Sequence, residues 1–127
     1  MSLPRGNLEG FYHRERTPVK IIGKFTVDAA PAATCEDIHG RGFTCAVTAA
    51  GRYTVTFDDQ YQSMINARCD AQTVGAAVDL FGQVGAFTAG AAPTLVLRAM
   101  TGAVETDILV GDYLHFECTL YAEALDA

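Results

Sequence analysis

The sequence predicts an all-β fold, an antiparallel β-sandwich or barrel of about seven strands. Three observations support this prediction: apolar and polar residues alternate with period two, Gly, Pro and Asp separate the alternating segments, and no amphipathic helical segment of 10–15 residues lies between them. Short strands at regular spacing are typical of sandwiches and barrels. With 127 residues, half of them hydrophobic, the chain is long enough for one domain with a core.

The first half of this domain contains the clearest local signal. Residues 19–27 form the first predicted strand, and 29–41 read as a long loop rich in small residues. Residues 42–49 and 52–58 then alternate on either side of Ala50-Gly51, and a two-residue link containing Gly predicts a β-hairpin.

Four further segments complete the set of predicted strands. They are residues 61–74, 76–88, 94–100 and 113–122. In the first of these, alternation places Ile65, Ala67, Cys69 and Ala71 on one face and Met64, Asn66, Arg68 and Asp70 on the other, wet face. Gly82 and Gly85 favour a strand with a bulge or bend over a helix. A short helix at 60–65 or 103–110 stays open as an alternative.

Residues 1–18 differ from the predicted domain at 19–127 and are expected to form an extended arm. Residues 1–24 carry a net charge of +3, so the remaining 103 residues carry −9 of the total of −6. An acidic body repels nucleic acid, whereas a basic arm suits an acidic protein surface. Interfaces favour aromatic and arginine anchors, so the candidate partner-binding residues here are Arg5, Phe11, Tyr12, Arg14 and Arg16. A solvated tail is the alternative.

Neither a membrane partner nor a secretory signal is expected. No stretch approaches the roughly 20 apolar residues that span a bilayer. The first residues also lack the apolar segment of a signal peptide.

The four cysteines, Cys35, Cys45, Cys69 and Cys118, are expected to be buried thiols. Their spacing contains no CxxC or CxH pair, which argues against a zinc site. Three of them, at 45, 69 and 118, fall on the apolar faces of predicted strands. A disulfide stays open if two of them face each other across a sandwich.

No constellation of catalytic residues is recognisable. The two serines, Ser2 and Ser63, lie in no nucleophile elbow, and the three histidines form no metal-binding pair. Asp58-Asp59 end a strand, where Asp favours turns. We therefore expect a protein that is not an enzyme and has no cofactor and no metal.

Aromatic residues on the last predicted strand offer a second candidate binding surface. Tyr113, His115 and Tyr121 alternate outward, opposite an apolar inner face. Burial against a partner or subunit, ordinary exposure and carbohydrate stacking are the three interpretations of this face.

One part of the chain resembles a known family. GRYTVTFDDQY at 51–61, Asp107 near a chain bend and GDYLHFECTLY at 111–121 are similar to segments of small all-β virion proteins of tailed bacteriophages, in particular capsid decoration (cement) proteins. The likeness covers residues 43–122 and leaves out the arm and the 29–41 loop.

This resemblance implies a structural virion protein on the capsid exterior, assembled in the host cytoplasm. Such proteins bridge neighbouring major capsid subunits, usually as homotrimers at three-fold positions, and have no active site. The implied partners are the major capsid protein and further copies of the chain, with no nucleic acid and no membrane. A tail or fibre module that binds a receptor or carbohydrate is one alternative. A small β-barrel enzyme or lipocalin-like carrier, which would need a central ligand cavity, is the other.

Overall fold

The structure is a computed structural model that describes residues 18–28, 34–73 and 79–122. These residues contain nine strands and no helix. The strands are β1 (Val19–Val27), β2 (Cys35–Gly40), β3 (Phe43–Ala49), β4 (Arg52–Phe57), β5 (Ser63–Gln72), β6 (Leu80–Thr88), β7 (Thr94–Thr101), β8 (Val104–Glu105) and β9 (Tyr113–Tyr121).

The strands form two antiparallel sheets that pack as a sandwich. The four-stranded sheet has the order β2-β1-β9-β5, and the five-stranded sheet has the order β3-β4-β7-β6, with the short β8 paired to β7. The prediction of an all-β sandwich is confirmed. The first and last strands are neighbours in one sheet, so the sheet is completed only when the end of the domain is in place.

The core lies between the sheets and is built from alternate residues of the central strands. On β9 every second side chain from Leu114 to Leu120 is buried, and β4 and β7 follow the same rule. Phe43 reaches across from β3 to pack edge-on against Phe116, with ring centroids 4.9 Å apart. Each large apolar side chain buried in this way contributes about 1.5–3 kcal/mol to stability.

Several predicted elements are confirmed. β1 has the predicted bounds, and β3 and β4 form the hairpin predicted around Ala50-Gly51. In β6 the register with β7 shifts between Val84 and Phe87, which confirms an irregularity next to Gly85.

The number of strands and the 29–41 loop were predicted wrongly. Residues 35–40 form β2, and residues 104–105 form β8 inside a region expected to be a turn. β2 escapes the alternation rule because it is an exposed edge strand with a bulge: Thr26 and Lys24 pair with Glu36 and His39, leaving two residues opposite one. Asp37, in the bulge, adopts φ +48°.

The predicted inner face of β5 is wrong at its beginning. A register shift against β9 between Met64 and Asn66 turns Ile65 outward, where it is 48% exposed, while Met64 packs against the core. From Ala67 onward the predicted alternation holds. The alternative helices are not formed in the described residues, since Tyr61 bridges Gly90 and the second region contains β8.

Candidate functional site

The residues that carry the family resemblance build a structural corner. The β3–β4 turn packs against the segment after β8: the Gly51 amide donates to Asp107 Oδ1 over 2.7 Å, and the Ile108 amide donates to the Tyr53 hydroxyl over 3.2 Å. Burial raises the pKa of Tyr53 to about 12. Gly51 is required because its φ is +71° and a Cβ would come within 2.5 Å of the Thr106 nitrogen. Gly51 and Tyr53 therefore have a structural role, since they fix the β3–β4 hairpin against the segment after β8.

The outer face of the four-stranded sheet is polar and densely charged. We call it the charged face, and its ionisable residues are Lys20, Lys24, Glu36, Asp37, His39, Arg68, Asp70, His115 and Glu117. Opposite charges lie together on this face: Lys20 on β1 lies 2.9 Å from Glu117 on β9, and Arg68 lies 3.1 Å from Asp70, two residues along β5. The hydrogen bond and charge of Lys20 hold the pKa of Glu117 below its usual range. Several charged side chains of this face are therefore already paired with a side chain of opposite charge.

Tyr113, a predicted binding residue, is already engaged on the charged face. Its hydroxyl donates to Asp37 Oδ2, and Lys24 Nζ lies 4.7 Å from the centre of its ring. The hydrogen bond raises the pKa of Tyr113 and lowers that of Asp37. A cation above the ring occupies the surface on which a sugar would stack.

Two shallow depressions lie side by side on the charged face and share Ile22 and His115. The first, of about 250 Å³, is also lined by Arg68, Asp70 and Glu117, and the second, of about 290 Å³, by Lys24 and His39. His115 is held by Gln72 Oε1 at 2.8 Å, and His39 by Asp37 at 3.0 Å. His39 was expected in a loop, but β2 places it on the same face as His115, with both paired to Lys24.

The outer face of the five-stranded sheet has the opposite character. Its outward positions are mostly small, uncharged side chains, and we call it the threonine face: Thr44, Ala46, Thr48, Thr54, Thr56, Thr88, Thr94 and Val96. Thr44, Thr56, Thr94 and Thr88 line up across four strands because they are register partners. At one end, Phe81 on the edge strand β6 is 43% exposed.

Two arginines are the described basic residues of the threonine face, and one carboxylate holds both. Arg52 and Arg98 are direct cross-strand partners, an arrangement that like charges disfavour. Glu105 on β8 lies 2.8 Å from Arg52 Nη2 and 2.9 Å from Arg98 Nε. Hydrogen bonding to Arg52, supported by Arg98, holds the pKa of Glu105 below its usual range. The three groups carry one net positive charge.

The remaining predicted site residues are those of the arm and Tyr121. Arg5, Phe11, Tyr12, Arg14 and Arg16 lie outside the described residues. Tyr121 and Tyr113 are both half-buried on β9, but eight residues of strand separate them by about 27 Å. The tyrosines therefore do not form one binding platform.

Sequence reasoning missed the threonine face, although the signal was present. Thr44, Thr48, Thr54 and Thr56 all stand at the polar positions of the predicted hairpin, opposite the apolar set. Their common plane becomes apparent only once β4 is known to pair with β7, which carries Thr94.

Metal-ligating side chains are dispersed over the residues that the structure describes. These residues contain no group of three or more His, Cys, Asp or Glu side chains able to hold a metal ion. No helix long and apolar enough to cross a bilayer occurs in the same ranges. A cleft of about 220 Å³ between Leu80, Leu109 and Asp112 is smaller than ordinary ligand pockets.

Comparison of the chain with protein-family models, with curated proteins and with solved structures finds no match in any of the three.

Proposed function

We propose that the chain is a structural virion protein that binds the outside of a phage capsid, bridging and stabilising major capsid subunits as a decoration protein. We place its docking surface on the threonine face. The observation that carries this placement is the scarcity of charge over an entire outer sheet surface, with two arginines held by Glu105. The centres of protein interfaces are depleted of charged residues. The link to a capsid rests on the family resemblance of residues 43–122.

The charged face is less suited to forming the centre of an interface. Its lysine, arginine and carboxylate groups would have to be desolvated, and exposed pairs such as Arg68–Asp70 would repay little of that cost. On the threonine face, Thr54 and Val96 can be covered without stripping water from an ion. In the described part of the chain, β3 and β6 each pair with only one strand and are therefore the edges of this sheet.

The arm and the oligomeric state complete the proposal. The arm, with its arginines and aromatic residues, would extend to a neighbouring capsid subunit and order on contact. A homotrimer would place several copies of the docking surface on one shell and strengthen weak individual contacts through multivalency. Light scattering of the isolated chain gives its mass directly, and a monomer would remove the trimer from the proposal.

A matched pair of threonines tests the docking surface. Thr54 and Thr119 are both half-buried and outward on central strands, one on the threonine face and the other on the charged face. In co-sedimentation with shells assembled from the major capsid protein alone, Thr54→Glu should weaken binding at least about tenfold because a charge in the interface would have to lose its water on docking. Thr119→Glu should change binding less than about twofold.

The outcome decides between the two faces. Equal binding by both variants, or a loss confined to Thr119→Glu, would contradict the placement on the threonine face. Undiminished binding after deletion of residues 1–18 would remove the arm from the proposal. Selective binding to a glycan array, without binding to shells, would instead support the receptor-binding alternative, against which the engagement of Tyr113 by Asp37 and Lys24 argues.

A further inference from the structure

Two thiols from different sheets meet at one side of the sandwich. Cys35 begins β2 of the four-stranded sheet, and Cys45 lies in β3 of the five-stranded sheet. Both side chains are half-buried and pack against the core, and their sulfur atoms are 3.0 Å apart. This distance is shorter than the ordinary contact between two sulfur atoms and about 1 Å longer than a disulfide bond.

The positions of Cys35 and Cys45 in the fold favour the formation of a disulfide between them. β2 and β3 are edge strands that follow each other in the chain through the turn at Arg41-Gly42. Cys35 is the register partner of Val27, and Cys45 that of Val55, so each sulfur is directed into the space between the sheets. A small adjustment at the end of an edge strand brings the sulfurs to bonding distance without disturbing the central strands.

The other two cysteines differ from this pair. Cys69 on β5 and Cys118 on β9 are buried in the four-stranded sheet, where Cys69 is paired with Phe116 and Cys118 with Ala67. Burial raises the pKa of Cys69 to about 12 and that of Cys118 to about 11, which keeps both as unreactive thiols at neutral pH.

We propose that Cys35 and Cys45 are a redox site that closes to a disulfide joining the two sheets when the protein meets a small-molecule disulfide such as oxidised glutathione. The reaction is a thiol–disulfide exchange in two steps. The Cys35 thiolate attacks one sulfur of oxidised glutathione, which breaks that disulfide and releases one glutathione thiolate. The Cys45 sulfur then attacks Cys35 in the mixed disulfide and releases the second glutathione. Two electrons pass from the protein to the oxidant, and the two thiol protons end on two molecules of glutathione.

The hydrogen bond between the two sulfurs favours one order of attack. Either thiol can donate it, and it lowers the pKa of Cys35 and raises that of Cys45. Cys35 is therefore the thiol that forms the thiolate more readily and attacks first. In a reducing cytoplasm the pair stays open, and in an oxidising exterior it closes. This inference concerns the sandwich alone and does not depend on capsid binding.

Peptide mapping of the full chain tests the proposal. The reduced protein is incubated with oxidised glutathione, remaining thiols are alkylated, and the chain is digested with trypsin without reduction. Cleavage after Lys24, Arg41, Arg52, Arg68 and Arg98 places each cysteine on its own peptide: 25–41, 42–52, 69–98 and 99–127. We expect 25–41 linked to 42–52, with the other two peptides alkylated.

Two results of the peptide mapping would contradict the proposed disulfide. Full alkylation of all four peptides after oxidation, or a link that includes 69–98 or 99–127, contradicts the assignment. The mapping uses the unmodified sequence, so it does not depend on a variant that folds. Cys45→Ser should stop the reaction at a glutathione adduct on 25–41, whereas Cys69→Ala, the control, should leave the link intact.

The link should also be visible in thermal unfolding. Closing a short loop between the sheets restricts the unfolded chain, and oxidation should raise Tm by roughly 5–10 °C. The increase should be absent from Cys45→Ser and retained by Cys69→Ala. An unchanged or lower Tm in fully linked protein would contradict the claim that the disulfide stabilises the sandwich.

Discussion

The two outer faces of this sandwich are built on the same plan and carry opposite chemistry. Both stand on central antiparallel strands whose alternate residues are buried, β1 and β9 in one sheet and β4 and β7 in the other. One face presents lysines, arginines, histidines and carboxylates, several of them in ion pairs, and the other presents mostly threonine, alanine and valine. The packing of the core therefore does not determine which residues lie on the outer faces. We interpret the composition of each face as a consequence of its role.

The lack of charge is more informative than the presence of threonine. Threonine suits any half-exposed strand, so its abundance alone would not distinguish the two faces. Proteins commonly place lysines and other charges along sheet edges to prevent unwanted pairing. β3, at the edge of the threonine face, presents Thr44, Ala46 and Thr48 instead. This uncharged edge and the surface beside it are suited to being covered by a partner.

The largest loss of stability is expected at the corner where the β3–β4 turn packs against the segment after β8. Gly51→Ala introduces a Cβ that would collide with the backbone at Thr106 and enforces a strained φ, so we expect a loss of about 2–4 kcal/mol in the free energy of unfolding. Gly102→Ala is the control, because its φ is also positive, +61°, but nothing lies within 4 Å of the added atom. Its cost should be about 1 kcal/mol. Urea unfolding of both variants measures the difference, and equal losses would contradict the close packing of this corner.

A smaller loss of stability is expected at the start of β5, where the register shift decides which side chains face the core. Met64→Thr should cost about 1–2 kcal/mol because this side chain packs against the core, whereas Ile65→Thr, at a 48% exposed position, should stay within about 0.5 kcal/mol. Both substitutions end in the same β-branched residue, so strand propensity contributes equally to the final state. The reverse order in chemical denaturation would mean that alternation runs unbroken through Ile65 and that the bulge is absent.

The carboxylate that holds the two arginines of the threonine face should contribute a measurable but modest stability. Glu105→Gln leaves Arg52 and Arg98 opposite each other without a counter-charge, and we expect Tm at pH 7 to fall by about 3 °C. Asp70→Asn, which removes an exposed partner of Arg68, should change Tm by less than about 1 °C. A larger fall in Tm for Asp70→Asn than for Glu105→Gln would contradict the stronger stabilisation that we assign to the ion pairs of Glu105.

The pH dependence of Tm for Glu105→Gln tests whether the ionised carboxylate of Glu105 stabilises the fold. The folded-state pKa of Glu105 is below its usual range because of Arg52 and Arg98, so its stabilisation is complete above the ordinary carboxyl pKa of about 4.3. The stabilisation is lost as the pH falls through the lower folded-state pKa. The Tm difference between the unsubstituted chain and Glu105→Gln should therefore be constant from pH 6 to 7 and close at acid pH. A difference that widens on acidification would contradict the ion pairs.

The smallest effect is expected from the exposed ion pair of the charged face. Arg68→Ala should shift Tm by no more than about 1 °C, because Arg68 and Asp70 are 70% and 64% exposed and water already screens them. Raising the salt concentration should change this small shift little. A loss comparable with that of Glu105→Gln would show that the charged face depends on its pairs as strongly as the threonine face depends on Glu105.

The sequence was sufficient to predict the central strands because burial imposes alternation on them. β1, the β3–β4 hairpin and β9 follow the pattern over most of their length, and their bounds were predicted to within one or two residues. β2 and the start of β5 were not predicted correctly, because a bulge shifts the faces and an edge strand buries too little to leave a pattern. The meeting of Cys35 with Cys45 depends on the contact between edges of different sheets, which alternation within a single strand does not encode.

Hydrogen exchange of the full chain, alone and bound to shells of the major capsid protein, tests the central claim most directly. If the threonine face docks on the capsid, exchange should slow in its edge strands β3 and β6 while β2 and β5, the edges of the charged face, exchange as in the unbound protein. Protection confined to β2 and β5, or no protection in any strand, would contradict the account.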